Sequence, residues 1–355
     1  MQNKIFKQSG VTPKMQGYTF PAEWSCQEYI YLSWPMNPHT WMDCFPQMEA
    51  AYASFAAAIT HYELLRILVK SSENERIIRL LTEHDAVLEH VEFFNIATND
   101  AWCRDHGPTF LKHRENGSLA LVDFSYNAWG GKFPPWDLDN AVPEQIAHAL
   151  QCPRFVTDLV CEGGALESNG NGTLLTTRSV VLNSNRNPGI SEPEAERILC
   201  DMLGMDHVIW LDSGLPGDDT DGHIDTLTRF FRDDAVLTVL GEKTHPGYDA
   251  MKRNYETLKQ ARTAAGKKLE IVPLPVPDPI CPEDWREEIL PATYANYLVI
   301  NNAVLLPTYR QDASAEKAIS ILEQAFPGRD IIPIDCYDII LEGGALHCLS
   351  QQQPR

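Results

Sequence analysis

Two kinds of apolar stretch alternate along the chain. Alanine-rich or capped runs read as helices: FPQMEAAYASFAAAITHY (45–62), SEPEAERILCDMLG (191–204) and DASAEKAISILEQAFPG (312–328). The second opens on a Ser-x-x-Glu capping box, tolerates its proline in the first turn and stops at glycine. The third stops at Pro-Gly. Short apolar runs read as strands: LLRILVK (64–70), HVIWL (207–211), AVLTVLG (235–241), LEIVPLPV (269–276), YLVINNAVLLPTY (297–309) and DIIPID (330–335). Strands and helices alternate throughout, which predicts an α/β or α+β class. No Gly/Ser tract or charged linker divides the chain. The loops 126–140 and 275–291, rich in Pro, Gly or charge, read as decorations rather than domain boundaries. The five residues Glu162–Leu166, E-G-G-A-L, recur as Glu342–Leu346, an echo that suggests duplicated supersecondary units.

Composition narrows the function. The 355 residues carry 49 Asp and Glu against 29 Lys and Arg, a formal charge of -20. A nucleic-acid partner calls for the opposite sign, whereas a small cation is attracted. There is no apolar run long enough to span a membrane, and the first residues lack the apolar core of a secretory signal, so a cytoplasmic protein is expected. The nine cysteines form no C-x-x-C pair and read as free thiols, most of them buried.

Four stretches concentrate chemistry. TNDAWCRDHGPTF (98–110) holds Trp102, Arg104, Asp105 and His106; CEGG holds Glu162; PGDDTDGHIDT (216–226) holds Asp218, Asp219, Asp221, His223 and Asp225; and the last stretch ends on His347-Cys348 followed by three glutamines. If residues 223–225 are a strand, His223 and Asp225 share one face. Imidazole can move protons near neutrality. A thiolate at Cys348 can be a nucleophile. Spare carboxylates at Asp105 and Asp225 match a guanidinium, whose N–H groups pair with carboxylates in a fixed fork. By residue type alone, other readings stay open. The DDTDGHID run resembles a calcium loop, but Arg229 stands where an EF-hand has its glutamate. His223, His347 and a carboxylate could hold zinc, though no H-E-x-x-H is present. His106 could be a turn residue and Trp102 a core residue. His347, on the opposite face of an extended segment, is a poor partner for Cys348.

Taken in order, PAEWSCQEYIYLSWPMNPHTW (21–41), NDAWCRDHGPTF, WGGKFPPWDLD (129–139), EGGALESNGNGTLLTT, NRNP (185–188), DDTDGHIDT, YANYLVINNAVLLPTY (294–309) and GGALHCLSQQQP resemble the agmatine deiminase and bacterial peptidyl-arginine deiminase family of guanidine-modifying enzymes, over nearly the whole chain. The resemblance implies a pentein fold: a single domain, 1–355, of five pseudo-symmetric ββαβ-like units forming an α/β propeller around a central site. It implies Cys348 as nucleophile, His223 as general acid/base, Asp105 and Asp225 on the guanidinium, Glu162 on His223 or the substrate, and Trp102 as a wall. It implies a small cationic guanidinium substrate, no cofactor, metal, nucleic acid or membrane, and is compatible with a homodimer. The expected reaction is agmatine to N-carbamoylputrescine and ammonia. The alternatives are a protein-arginine deiminase making citrulline, an amidinotransferase, a peptide-cleaving cysteine hydrolase, and a non-catalytic or metal-binding protein. Departures from the family pattern, such as Ser25-Cys26-Gln27 after P-A-E-W and Ala345-Leu346 before His347-Cys348, touch none of the implied catalytic groups. A protonated His223 is expected to lower the Cys348 thiol.

Overall fold

The computed structural model describes residues 5–7, 10–37, 39–283 and 288–355. Among these the strands form five sheets, and each sheet contains the same unit. An antiparallel strand pair is followed by a helix, which returns the chain to a third strand parallel to the second. Parallel pairing requires such a crossover, since a tight turn cannot reverse the chain twice. In the first unit Thr109–His113 pairs with Leu119–Ser125, and the helix Val142–Leu150 leads to Arg154–Val160. The second uses Glu167–Ser168, Thr173–Thr177, the helix Glu192–Leu203 and His207–Leu211. The third uses Thr228–Arg232, Ala235–Val239, the helix Tyr248–Gln260 and Glu270–Leu274. The fourth uses Leu298–Ile300, Ala303–Thr308, the helix Asp312–Ala325 and Asp330–Asp335.

The fifth unit joins the two ends of the chain. Its first strand is Ser350–Pro354, which pairs antiparallel with Gln27–Ser33; the helix Phe45–Thr60 then leads to Leu64–Val69. That helix buries Met48, Tyr52, Phe55 and Ile59 along one stripe at helical spacing. In the second unit's helix, Ser191 Oγ accepts the Glu194 N–H at 3.4 Å, as the capping box predicts, and Gly204 closes it at φ 64°. A side chain at Gly204 would collide with the Tyr18 carbonyl.

Two local expectations change. The run 297–309 is a hairpin, turning at Asn301–Asn302 with Asn302 at φ 60°, a conformation asparagine tolerates. Residues 223–225 are no strand: His223 caps a single 3-10 turn, Ile224–Thr226. The second strand of the third unit, Ala235–Val239, is buried along its length, while its third strand, Glu270–Leu274, is largely at the surface. In the second and fifth units the third strands, His207–Leu211 and Leu64–Val69, are buried as well. No helix among the described residues is long and apolar enough to cross a membrane.

Candidate active site

The chemistry-bearing residues occupy one recurring position, the short turn leading into the first strand of each unit. Asp105 lies in the turn Cys103–His106 before Thr109, and Glu162 precedes the turn Gly163–Ala165 before Glu167. His223 and Asp225 precede Thr228, and Cys348 lies in a turn before Ser350. The fourth unit supplies Asn296, just before Leu298. Five turns far apart in sequence thus deliver side chains to one place. His223 Nδ1 lies 3.7 Å from Asp105 Oδ1, and its Nε2 lies 3.7 Å from Glu162 Oε2. Asp225 Oδ2 accepts the Cys348 thiol at 3.5 Å.

Gly164 is the point where these groups meet. A methyl group there would sit 2.5 Å from His223 Nδ1, 2.7 Å from Asp105 Oδ1 and 3.1 Å from Asp225 Oδ2. Its own N–H donates to Asp105 Oδ1 at 3.0 Å. Glycine is required for closeness, so the repeated E-G-G run acquires a physical cause. The echo run does similar work: a side chain at Gly344 would strike the Trp102 ring, which stacks on Trp41 with centroids 5.5 Å apart. We expect Gly164→Ala to lower turnover by about 100-fold or more, since three positioned groups must move. Circular dichroism should remain native, and an unchanged kcat would refute the packing argument.

A narrow slot reaches this cluster, lined by Trp102, Asp105, Trp129, Cys348 and the carboxylates of Asp100, Asp219 and Glu342. It opens beside a larger cavity of about 780 Å³ that shares Trp129 and Phe133. Behind the slot, Glu162, His223 and Asp225 are fully buried. Four of their atoms, Glu162 Oε2, Asp225 Oδ1 and both ring nitrogens of His223, have no hydrogen-bond partner among the described residues. Buried polar atoms without partners are costly. A guanidinium, which presents five N–H donors and accepts nothing, would satisfy the two carboxylate oxygens.

The carboxylates differ in what backs them. Glu162 Oε1 accepts Arg186 Nε at 2.7 Å, and Arg186 in turn donates to Asp221 Oδ2 at 2.6 Å. Asp225 Oδ2 faces His347 Nδ1 at 2.7 Å. Burial would raise both acids, but His223 and Arg186 at Glu162, and His347, His223 and Arg229 at Asp225, outweigh it and hold both below the usual carboxylate range. Asp105 accepts hydrogen bonds from the neutral donors Gly164 N–H and Trp129 Nε1, with His223 farther off at 3.7 Å. Burial, with Asp225 and Glu162 adding repulsion against the pull of His223, raises it to about 6. Burial would depress His223, but Asp105, Glu162 and Asp225 together raise it to about 9.

The thiol departs from expectation. Burial first, then the charges of Asp225 and Asp105, push Cys348 well above its ordinary value. The positive charge of His223 lies between Asp105 and Glu162 and does not offset this. Asn296 fixes the cysteine: its Oδ1 accepts the N–H groups of His347 and Cys348 at 3.1 and 3.3 Å, which turns its Nδ2 toward Sγ at 3.1 Å.

Other residues of the sequence clusters serve the frame. Arg104 donates to the side chains of Gln351 and Gln352 at 2.8 and 2.5 Å, and Gln353 accepts from Tyr31 and Arg66, so the terminal glutamines are a buried polar strand. His106 is buried, and burial lowers it to about 3. Asp218 accepts from Thr220, and Asp221 from Arg186 and Lys132, so the aspartates of 218–225 face different partners. Sequence reasoning missed Asn296, Trp129, Arg186 and Glu23 as site residues. The loop 126–140 is no mere decoration, because it carries Trp129 onto Asp105. Its match to the unit turns could have pointed to Asn296; Glu23 has no such signal.

A buried cysteine, histidine and carboxylates are brought together by five like units, and similarity to known proteins places the chain among deiminases of guanidino groups. The chain belongs to the Porphyromonas-type peptidyl-arginine deiminase family, whose sequence profile matches residues 19–354. It is 33% identical to an agmatine deiminase of Medicago truncatula over 97% of this chain and 98% of that one. Its structure is similar to that of the agmatine deiminase of Enterococcus faecalis, with TM-score 0.91 at 29% identity, covering 98% and 99% of the two chains. It is also similar to a C. jejuni agmatine deiminase, a cysteine-to-serine variant with substrate bound, with TM-score 0.85 at 31% identity, covering 95% and 96%.

Proposed function

We propose that the protein hydrolyses agmatine to N-carbamoylputrescine and ammonia, in one domain whose five units surround the site as blades of a propeller. The observation that carries the substrate is the slot: among its described lining residues, besides Asp105 at the guanidinium end, there are three more acidic residues, Asp100, Asp219 and Glu342, and no Lys or Arg. Such a lining suits a substrate with an ammonium at its far end and opposes the carboxylate of free arginine.

Asp105 and Asp225 hold the guanidinium nitrogens on either side, with Glu162 Oε2 adding a further acceptor. Cation binding neutralises the charges that keep the Cys348 thiol protonated, so the thiol releases its proton to water and the nucleophile forms when the substrate is in place. Sγ adds to the central carbon. The tetrahedral adduct expels ammonia, which takes its proton from His223, and leaves an S-alkylthiouronium on Cys348. His223, now neutral, removes a proton from water as the water adds to the same carbon. The C–S bond breaks as the hydroxyl of the adduct becomes the ureido carbonyl, its proton passes to Sγ to restore the thiol, and the ureido product leaves. Trp102 walls the slot.

The test is steady-state ammonia release from agmatine, free arginine and a blocked arginine peptide. We expect kcat/KM for agmatine to exceed that of arginine by about 100-fold or more, as fits a site that leaves a charge unpaired with the wrong substrate. A preference for the peptide would favour protein-arginine deimination, and comparable rates on all three would overturn the agmatine reading.

A further inference from the structure

The residue before the nucleophile has a role that its place in the sequence hides. His347 is buried, with its ring between two carboxylates: Nδ1 lies 2.7 Å from Asp225 Oδ2 and Nε2 lies 2.8 Å from Glu23 Oε2. An ionised carboxylate can only accept. Burial would raise Glu23, but Arg229 and His347 outweigh it and hold the acid well below the usual range, and Asp225 is likewise lowered. The ring therefore bridges two carboxylate oxygens, one at each nitrogen. The line of charge continues: Glu23 pairs with Arg229, whose Nε donates to Glu167 Oε2 at 2.8 Å, while Glu23 Oε1 accepts the Val299 N–H at 2.7 Å.

We propose that His347 is a positioning residue that aims Asp225 at the guanidinium and keeps it charged, with Glu23 and Arg229 as its support. The inference rests on the guanidinium-binding role proposed for Asp225. The geometry carries it in two ways. Because His347 occupies Oδ2, the carboxylate cannot rotate about its axis, and Oδ1 is left as the unpartnered buried atom. Because Nδ1 lies 2.7 Å from Oδ2, the ring holds the same oxygen that faces Cys348 Sγ at 3.5 Å. The backbone of His347 is held by Arg104, whose Nε donates to its carbonyl at 3.2 Å, by Ser350, whose hydroxyl donates to the same carbonyl at 3.2 Å, and by Asn296, which accepts its N–H. The charges of Arg229 and His223 also act on Asp225.

Two variants separate this role from packing. His347→Asn keeps a donor near the Nδ1 position, toward Asp225. His347→Gln moves it to the Nε2 position, toward Glu23. Both remove the imidazole that bridges the two carboxylates. We expect His347→Gln to lose on the order of 100-fold in kcat/KM, the size of a lost hydrogen bond to a charged group, with KM raised. We expect His347→Asn to recover about tenfold of that loss. In both, the acid limb of the kcat/KM profile, set by Asp105 in the wild type, should move to higher pH, because Asp225 loses the His347 contact that lowers it and now titrates together with Asp105. Equal losses in the two variants with an unmoved acid limb would overturn the proposal, as would losses that follow only the melting temperature. Should one variant fail to fold, Glu23→Gln, which removes the support of the ring, must shift the same acid limb or the proposal fails. Wild-type protein inactive on every guanidine would instead overturn the function proposed above.

Discussion

Replacing Cys348 by alanine should abolish ammonia release, lowering kcat by about 10⁴-fold or more, as when a covalent nucleophile is removed from a site whose other groups remain. The environment of the thiol explains why nothing nearby can substitute. Sγ sits 3.5 Å from Asp225 Oδ2 and is buried. A thiolate at that distance from an ionised carboxylate is opposed by about 5 kcal/mol at an effective dielectric of about 20. The free enzyme therefore holds a neutral thiol, and the arriving cation removes the penalty. The alanine variant keeps both carboxylates and lacks the bulk of the sulfur, so it should bind agmatine at least as tightly as wild type by calorimetry. Rapid quenching of wild type with agmatine should give a mass increase on Cys348 that the variant lacks. Turnover in the variant within tenfold of wild type would end the covalent mechanism. The same chemistry predicts that neutral alkylating reagents react slowly with Cys348 below the thiol's raised value.

The second large effect is expected at His223. His223→Asn should lower kcat by about 10³-fold, within the range for loss of a general acid/base. The pH profile gives the direction. Wild-type kcat/KM should fall below about pH 6, where Asp105 gains a proton, and above about pH 9, where His223 loses the one it must give to ammonia. The alkaline limb assigned to His223 should vanish in the variant, and its persistence at full amplitude would assign that limb elsewhere. Stability supplies an independent readout. The folded-state value of His223 lies above its ordinary 6.5, so the histidine stabilises the fold fully below about pH 6.5, and the contribution is lost as pH rises through about 9. Wild type should lose melting temperature across that window relative to His223→Asn.

Much of the local structure was legible in the chain. The capping box at Ser191, the glycine stop at Gly204 and the apolar strands each depend on neighbours within a few residues, and each lies where the pattern predicts. The run at 297–309 hid a hairpin because its apolar residues are continuous on both sides of Asn301–Asn302, and hydrophobicity alone does not mark a turn. The expected strand at His223–Asp225 is a 3-10 turn, since a site residue there must face a common point rather than a sheet face. The roles of Cys348, His223, Asp105, Asp225 and Glu162 came from family resemblance. Their spacing alone left calcium and zinc readings open.

The sequence by itself determined the elements, the residue types able to attack and hold a guanidinium, and the acidity that favours a cationic substrate. Tertiary structure decided which of them meet. Asn296 has no chemical signature in YANYLV; it belongs to the site because its turn is the fourth of five equivalent turns. His347 looked like a bystander to Cys348 because neighbours on an extended chain point apart. Its partners lie elsewhere, Asp225 at 122 residues' separation and Glu23 at 324. No local pattern encodes contacts at that range, because they arise only when the C-terminal strand pairs with Gln27–Ser33 and brings the two ends of the chain together around one buried row of charges.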